Sequence, residues 1–122
     1  MGRLTLFRGL FWVALVFAFV MAVLPHAPEL PGHPLDKVQH IVAFMVLTAL
    51  GCWGYPRARL VAVAVWLSGF GASIELVQGL PFVHRDSDAM DWIADTLAIA
   101  FVLIVMALVR GRAKTRARSS AG

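Results

Sequence analysis

Apolar residues in this chain fall into four long runs, and most polar residues gather in the short stretches between them. The runs cover about residues 7–24, 38–55, 60–80 and 90–109. A helix needs about 20 mostly apolar residues to cross the hydrocarbon layer of a bilayer, or about 17 where flanking side chains reach for the interface. All four runs meet that length. The pattern predicts an all-α, integral membrane four-helix bundle, with one domain over residues 1–109 and a basic tail over 110–122. The first run follows Arg3 and Arg8 as a signal peptide would. Pro25-His26-Ala27-Pro28 comes after Leu24 in place of a small-residue cleavage site, so the run is expected to stay as an uncleaved first span.

Composition supports the membrane setting. Of 122 residues, 60% are hydrophobic, against about 45–50% apolar in soluble domains. Only 11 Lys+Arg and 7 Asp+Glu are available to coat a surface. An ordinary soluble domain and a disordered chain are both excluded. The single cysteine, Cys52, has no partner in the chain for a disulfide.

The net charge of +4 matters through its placement. Arg3, Arg8, Arg57, Arg59, Arg110, Arg112, Lys114, Arg116 and Arg118 fall at one side of the expected bundle, and Lys37 and Arg85 at the other. Basic short loops stay cytoplasmic. Both termini are therefore expected in the cytoplasm, the natural partners are membrane lipids, and no nucleic-acid role is assigned.

Other features are structural in character. Pro25, Pro28, Pro31 and Pro34 repeat with the three-residue period of a polyproline II helix, which suits either a lid over the bundle or a solvated spacer. Gly69, Gly71, Ala72 and Ser73 are small enough for close backbone approach in the third segment. Trp12, Trp53, Tyr55 and Trp92 are expected in interfacial aromatic belts.

With this topology every acidic residue (Glu29, Asp36, Glu75, Asp86, Asp88, Asp91 and Asp95) and all four histidines fall on the outer side. Residues three, four or seven apart share a helix face. Asp36, Lys37 and His40 enter the second segment, Glu75 and Gln78 close the third, and Asp88, Asp91 and Asp95 form a stripe on the fourth behind His84 and Arg85. Glu75 and Asp95 lie about 7 Å inside the expected span ends at 1.5 Å per residue. An ionised carboxylate facing lipid there costs a few kcal/mol, so both are expected to point inward. Asp88 is also explained by helix capping, and His26 and His33 by solvation.

In order, the motifs are Asp36-Lys37-Val38-Gln39-His40, Ser73-Ile74-Glu75-Leu76-Val77-Gln78, Arg85, and Asp91-Trp92-Ile93-Ala94-Asp95. This order resembles the VanZ-like family over about residues 36–105. That family's pattern is an aspartate-lysine pair and a histidine opening one span, a glutamate and a glutamine closing the next, a loop arginine, and an aspartate followed four residues on by asparagine or aspartate. Members often carry asparagine at the position of Asp95 and glycine at that of Ala98. The resemblance implies a multi-pass protein of the bacterial cytoplasmic membrane. Its family is named for a link to resistance to teicoplanin, a lipid-tailed glycopeptide, and has no established biochemical activity.

Two functions compete at this stage. In the first, the outer cluster binds the head group of an envelope lipid, a lipid-linked precursor or a lipoglycopeptide, with or without chemistry on it. Asp36, Lys37, Gln78 and Arg85 would then contact the ligand. Glu75, Asp91, Asp95 and His40 are the candidates for acid-base work, or for carboxylates bridging a divalent ion to a phosphate. In the second, the chain is a non-enzymatic interaction protein and the cluster is a brace. Ion conduction has only Thr48 and Ser68 in the inner half. No HExxH or CxxC spacing marks a metal site, and the sequence names no cofactor.

Overall fold

A computed structural model of the chain describes residues 2–24, 34–81 and 89–121, with the side chains of residues 34–36 outside that description. Its elements are α1 (Arg3–Val23), α2 (Pro34–Gly54), α3 (Leu60–Gln78) and α4 (Ala89–Ala121). All four are long and apolar enough to cross a membrane. The helices that carry the apolar runs thus match the expected all-α bundle, and no strand occurs among the described residues.

Cross-helix contacts fix the antiparallel order. Arg8 Nε, near the start of α1, donates to Gly54 O at the end of α2 over 2.7 Å. At the opposite end Gln78 Nε2, closing α3, donates to Ala22 O in the last turn of α1 over 2.9 Å. Helix α2 packs extensively against α1 and α4, and α3 against α4, with lighter α2–α3 and α1–α3 contacts. The resulting circuit, α1–α2–α4–α3, could not be read from the apolar runs alone.

The molecule is inside-out relative to a soluble protein. Val61 is 73% exposed, Leu76 76% and Val13 70%, whereas His40, Thr48, Glu75, Gln78, Asp91 and Asp95 are buried. In water, such an apolar surface would drive aggregation. Against lipid it is the expected outer coat, because helices satisfy their own backbone groups.

Two helices extend beyond their apolar runs. Helix α2 begins at Pro34, as proline's fit to a first helical position with no N–H bond to lose leads one to expect. Helix α4 continues past 109 to Ala121, so the tail is a helical extension of the last span. Its Arg, Lys and Ala residues propagate helix well, and Arg118 in the last turn complements the dipole. The apolar run marks the membrane boundary, not the helix boundary.

At the end of α2 no basic residue occupies the last turn. Neighbouring helices supply the cations instead, with Arg8 on Gly54 O and Arg110 Nη2 3.4 Å from Cys52 O. Gly54 permits this approach, because a Cβ there would stand 3.2 Å from the Arg8 backbone nitrogen. Trp12 and Tyr55, two of the expected belt aromatics, meet directly. The Trp12 indole N–H donates to Tyr55 Oη over 2.9 Å, and the indole ring meets Phe11 and Trp66 edge-on.

The small residues of α3 divide by face. Gly71 is wedged, since a Cβ would lie 3.3 Å from Phe44 Cζ and 3.5 Å from Trp92 Cδ1. Gly69 meets nothing within 4 Å, and exposed Ser73 donates to Phe70 O, so these two do not serve helix packing within the chain. Gly71→Leu is expected to lower stability by about 1–3 kcal/mol through overpacking. Gly69→Leu is expected to change it little. Unfolding in mixed detergent micelles would measure both.

Candidate functional site

The polar site lies where the C-terminal ends of α1 and α3 meet the N-terminal ends of α2 and α4. Each side chain reaches it by helical periodicity. On α2, His40 starts the inward stripe continued by Phe44, Leu47, Thr48 and Gly51. On α3, Glu75 and Gln78 end the stripe of Leu67, Gly71 and Ile74. On α4, Asp91 and Asp95 begin the stripe of Ala98, Ile99, Val102 and Leu103. Below this level the buried core is aliphatic and aromatic apart from Thr48 and Cys52.

The structure therefore buries five of the eight expected site residues: His40, Glu75, Gln78, Asp91 and Asp95. Lys37, one turn before His40, is half-buried. The Asp36 side chain and all of Arg85 lie outside the described residues, as do His26, His33, His84, Glu29, Asp86, Asp88 and most of the proline-rich segment.

His40 Nδ1 stands 3.5 Å from Asp95 Oδ2, an ion-pair distance when the imidazole is protonated. Asp95 is 1% exposed. This pair joins α2 to α4 at about 9 Å from the start of each helix, taking 1.5 Å per residue. Gln78, 2% exposed, gives its amide N–H to Ala22 O. Its Oε1 is buried with no hydrogen-bond partner among the described residues. That oxygen is an acceptor held inside the site, and leaving it unmatched costs about 1–3 kcal/mol.

A second polar level lies just below. Thr96 Oγ1 donates to Trp92 O over 2.9 Å, which leaves Ser68 Oγ as the donor in the 3.0 Å contact with Thr96 Oγ1. The Trp92 indole N–H completes the loop to Ser68 O at 3.0 Å. Sequence reasoning placed Trp92 in a belt and left Thr96 unremarked, although its position next to Asp95 was a usable signal. Thr48 Oγ1, fully buried, donates to Phe44 O of its own helix over 2.6 Å. Neither Thr48 nor Ser68 starts a polar path through the apolar half.

Chemically, the level offers carboxylates from α3 and α4, an imidazole from α2 and amide groups from α3. Such a set can accept hydrogen bonds from hydroxyls and amines, and its imidazole and carboxylates can exchange protons. Among the described residues no group of three His, Cys, Asp or Glu side chains is arranged to hold a metal ion. No known protein family, curated protein or solved structure matches the chain.

Proposed function

We propose that the chain is a small membrane protein whose polar level binds the head group of an envelope lipid or lipid-linked precursor. One observation carries this reading. Five ionisable or amide side chains are buried together at one end of a bundle whose other buried side chains, among the described residues, are apolar apart from Thr48. Intramembrane ionisable groups are costly and usually mark a functional site.

On this proposal both termini are cytoplasmic, following the basic residues, and the polar level faces outward in a bacterial cytoplasmic membrane. Lys37, His40 and Arg85 supply cationic donors to a phosphate. Glu75, Asp91 and Asp95 receive hydroxyls or hold a proton. Asp36 and Gln78 complete the contacts. The VanZ-like resemblance, which rests on the quoted motifs alone, adds an envelope setting and an effect on teicoplanin susceptibility to the same proposal.

A second reading, a non-enzymatic interaction protein with a polar brace, is favoured by the Gln78–Ala22 bond and the His40–Asp95 pair, which between them touch all four helices. Native mass spectrometry of protein extracted gently from its membrane separates the two. Wild type is expected to retain a phosphate-bearing lipid that Glu75→Gln and Arg85→Ala lose while still folding. Equal lipid content in all three would assign the level to bracing.

A further inference from the structure

A groove of about 550 Å³ runs between α1 and α2. Its α1 wall is a stripe of Ala14, Ala18 and Ala22 at four-residue spacing, flanked by exposed Phe17 and Met21. Its α2 side runs from Val38 through Ala43 to Leu47, with Ile74 of α3 also lining it. The nine rises of α2 from Val38 to Leu47 give it a length of about 13 Å.

Three observations select an occupant. First, both flanking helices are long and apolar enough to cross a membrane, so the groove would face lipid. Second, the volume spread over that length leaves a mean cross-section of about 40 Å², about half or less that of a helix about 10–12 Å across with its side chains. A helix of another chain could lie across the open groove but not sink into it, whereas a single hydrocarbon chain is of the right order to enter it. Third, one end of the groove is polar. His40 lines it, and Ala22, which also lines it, carries the carbonyl bonded by Gln78, whose buried Oε1 is the acceptor described above.

We propose that this groove is an acyl-chain slot, holding one hydrocarbon chain of a membrane lipid with its polar end directed to the His40–Gln78 level. The proposal rests on the head-group reading and extends it: site and slot together recognise an amphiphile by both ends. Alanine at 14, 18, 22 and 43 makes room for the chain, and Val42 and Val46 stand exposed along the α2 side.

The test uses the full chain in nanodiscs doped with a phosphatidylglycerol that carries a diazirine in one acyl chain. After photolysis, label is expected to concentrate on Ala14, Ala18, Ala43 and Val46. Ala18→Phe, and separately Val42→Trp on the exposed wall, should each lower that label about tenfold, equivalent to about 1.4 kcal/mol. Val61→Phe on the outer face of α3 should leave it unchanged. Label spread evenly over the exposed apolar residues of all four helices, and insensitive to Ala18→Phe, would overturn the slot. If Glu75→Gln and Arg85→Ala still lose lipid in that case, the head-group reading survives without it. A disulfide-linked dimer from Ala18→Cys in native membranes would assign the groove to a second copy and also overturn the proposal.

Discussion

Asp95→Leu is expected to destabilise the bundle by about 2 kcal/mol or more. An average polar contact between membrane helices contributes only about 0.6 kcal/mol, because the separated helices also find partners in the bilayer. Asp95 should exceed that average. It is 1% exposed and its carboxylate faces an ionisable group, His40, at 3.5 Å. Removing one member of such a pair in a soluble core costs about 3–5 kcal/mol, since the other is left buried without its counterpart. The bilayer value falls between these limits. Replacing both, as His40→Leu with Asp95→Leu, should recover most of the loss, because apolar side chains of similar size often substitute for a buried pair without penalty. Unfolding by sodium dodecyl sulfate, followed by tryptophan fluorescence, would give the three stabilities. A single variant as stable as wild type would show that the contact contributes nothing to the fold.

Lipid retention is expected to fall about tenfold to a hundredfold in Arg85→Ala. Hydrogen bonds to charged groups contribute about 1.5–3 kcal/mol each, and 1.4 kcal/mol corresponds to a factor of ten. Glu75→Gln keeps the size of the side chain but replaces a carboxyl oxygen with an N–H donor, so its effect reports on proton or hydroxyl acceptance rather than packing. A phosphate-bearing ligand held mainly by cations should respond more to Arg85→Ala than to Glu75→Gln. The reverse order would point to a ligand with hydroxyl or amine donors. Titration of each variant with the retained lipid, followed by native mass spectrometry, distinguishes these cases.

Much of this arrangement is legible in the chain itself, for identifiable reasons. The four spans stand out because each apolar run is close to the bilayer's thickness and bounded by charge or proline. Glu75 and Asp95 are recognisable as inward-facing because lipid exposure would be costly, and their buried positions in α3 and α4 bear that out; the burial of Asp91 beside them is added by the fold. Helix order was not legible. Four amphiphilically weak helices can surround a core in several circuits, and the choice of α1–α2–α4–α3 depends on fits such as Phe44 and Trp92 against Gly71. The extension of α4 to Ala121 was missed because hydropathy ends at Val109 whereas helix propensity does not. Arg8 and Arg110 were read only as topology signals, yet they also satisfy carbonyls at the end of α2. The alanine stripe of α1 is also visible in the chain, with Ala14, Ala18 and Ala22 on one face of an otherwise bulky helix.

The most direct test joins stability and ligand content in one preparation of the double variant His40→Leu with Asp95→Leu. The two roles of the polar level separate there, because the substitution removes the chemistry of the pair and leaves its volume filled. A variant that unfolds near wild-type detergent concentrations but carries no phosphate-bearing lipid is the predicted result. A folded double variant that retains the same lipid as wild type would contradict the assignment of this level as a head-group site.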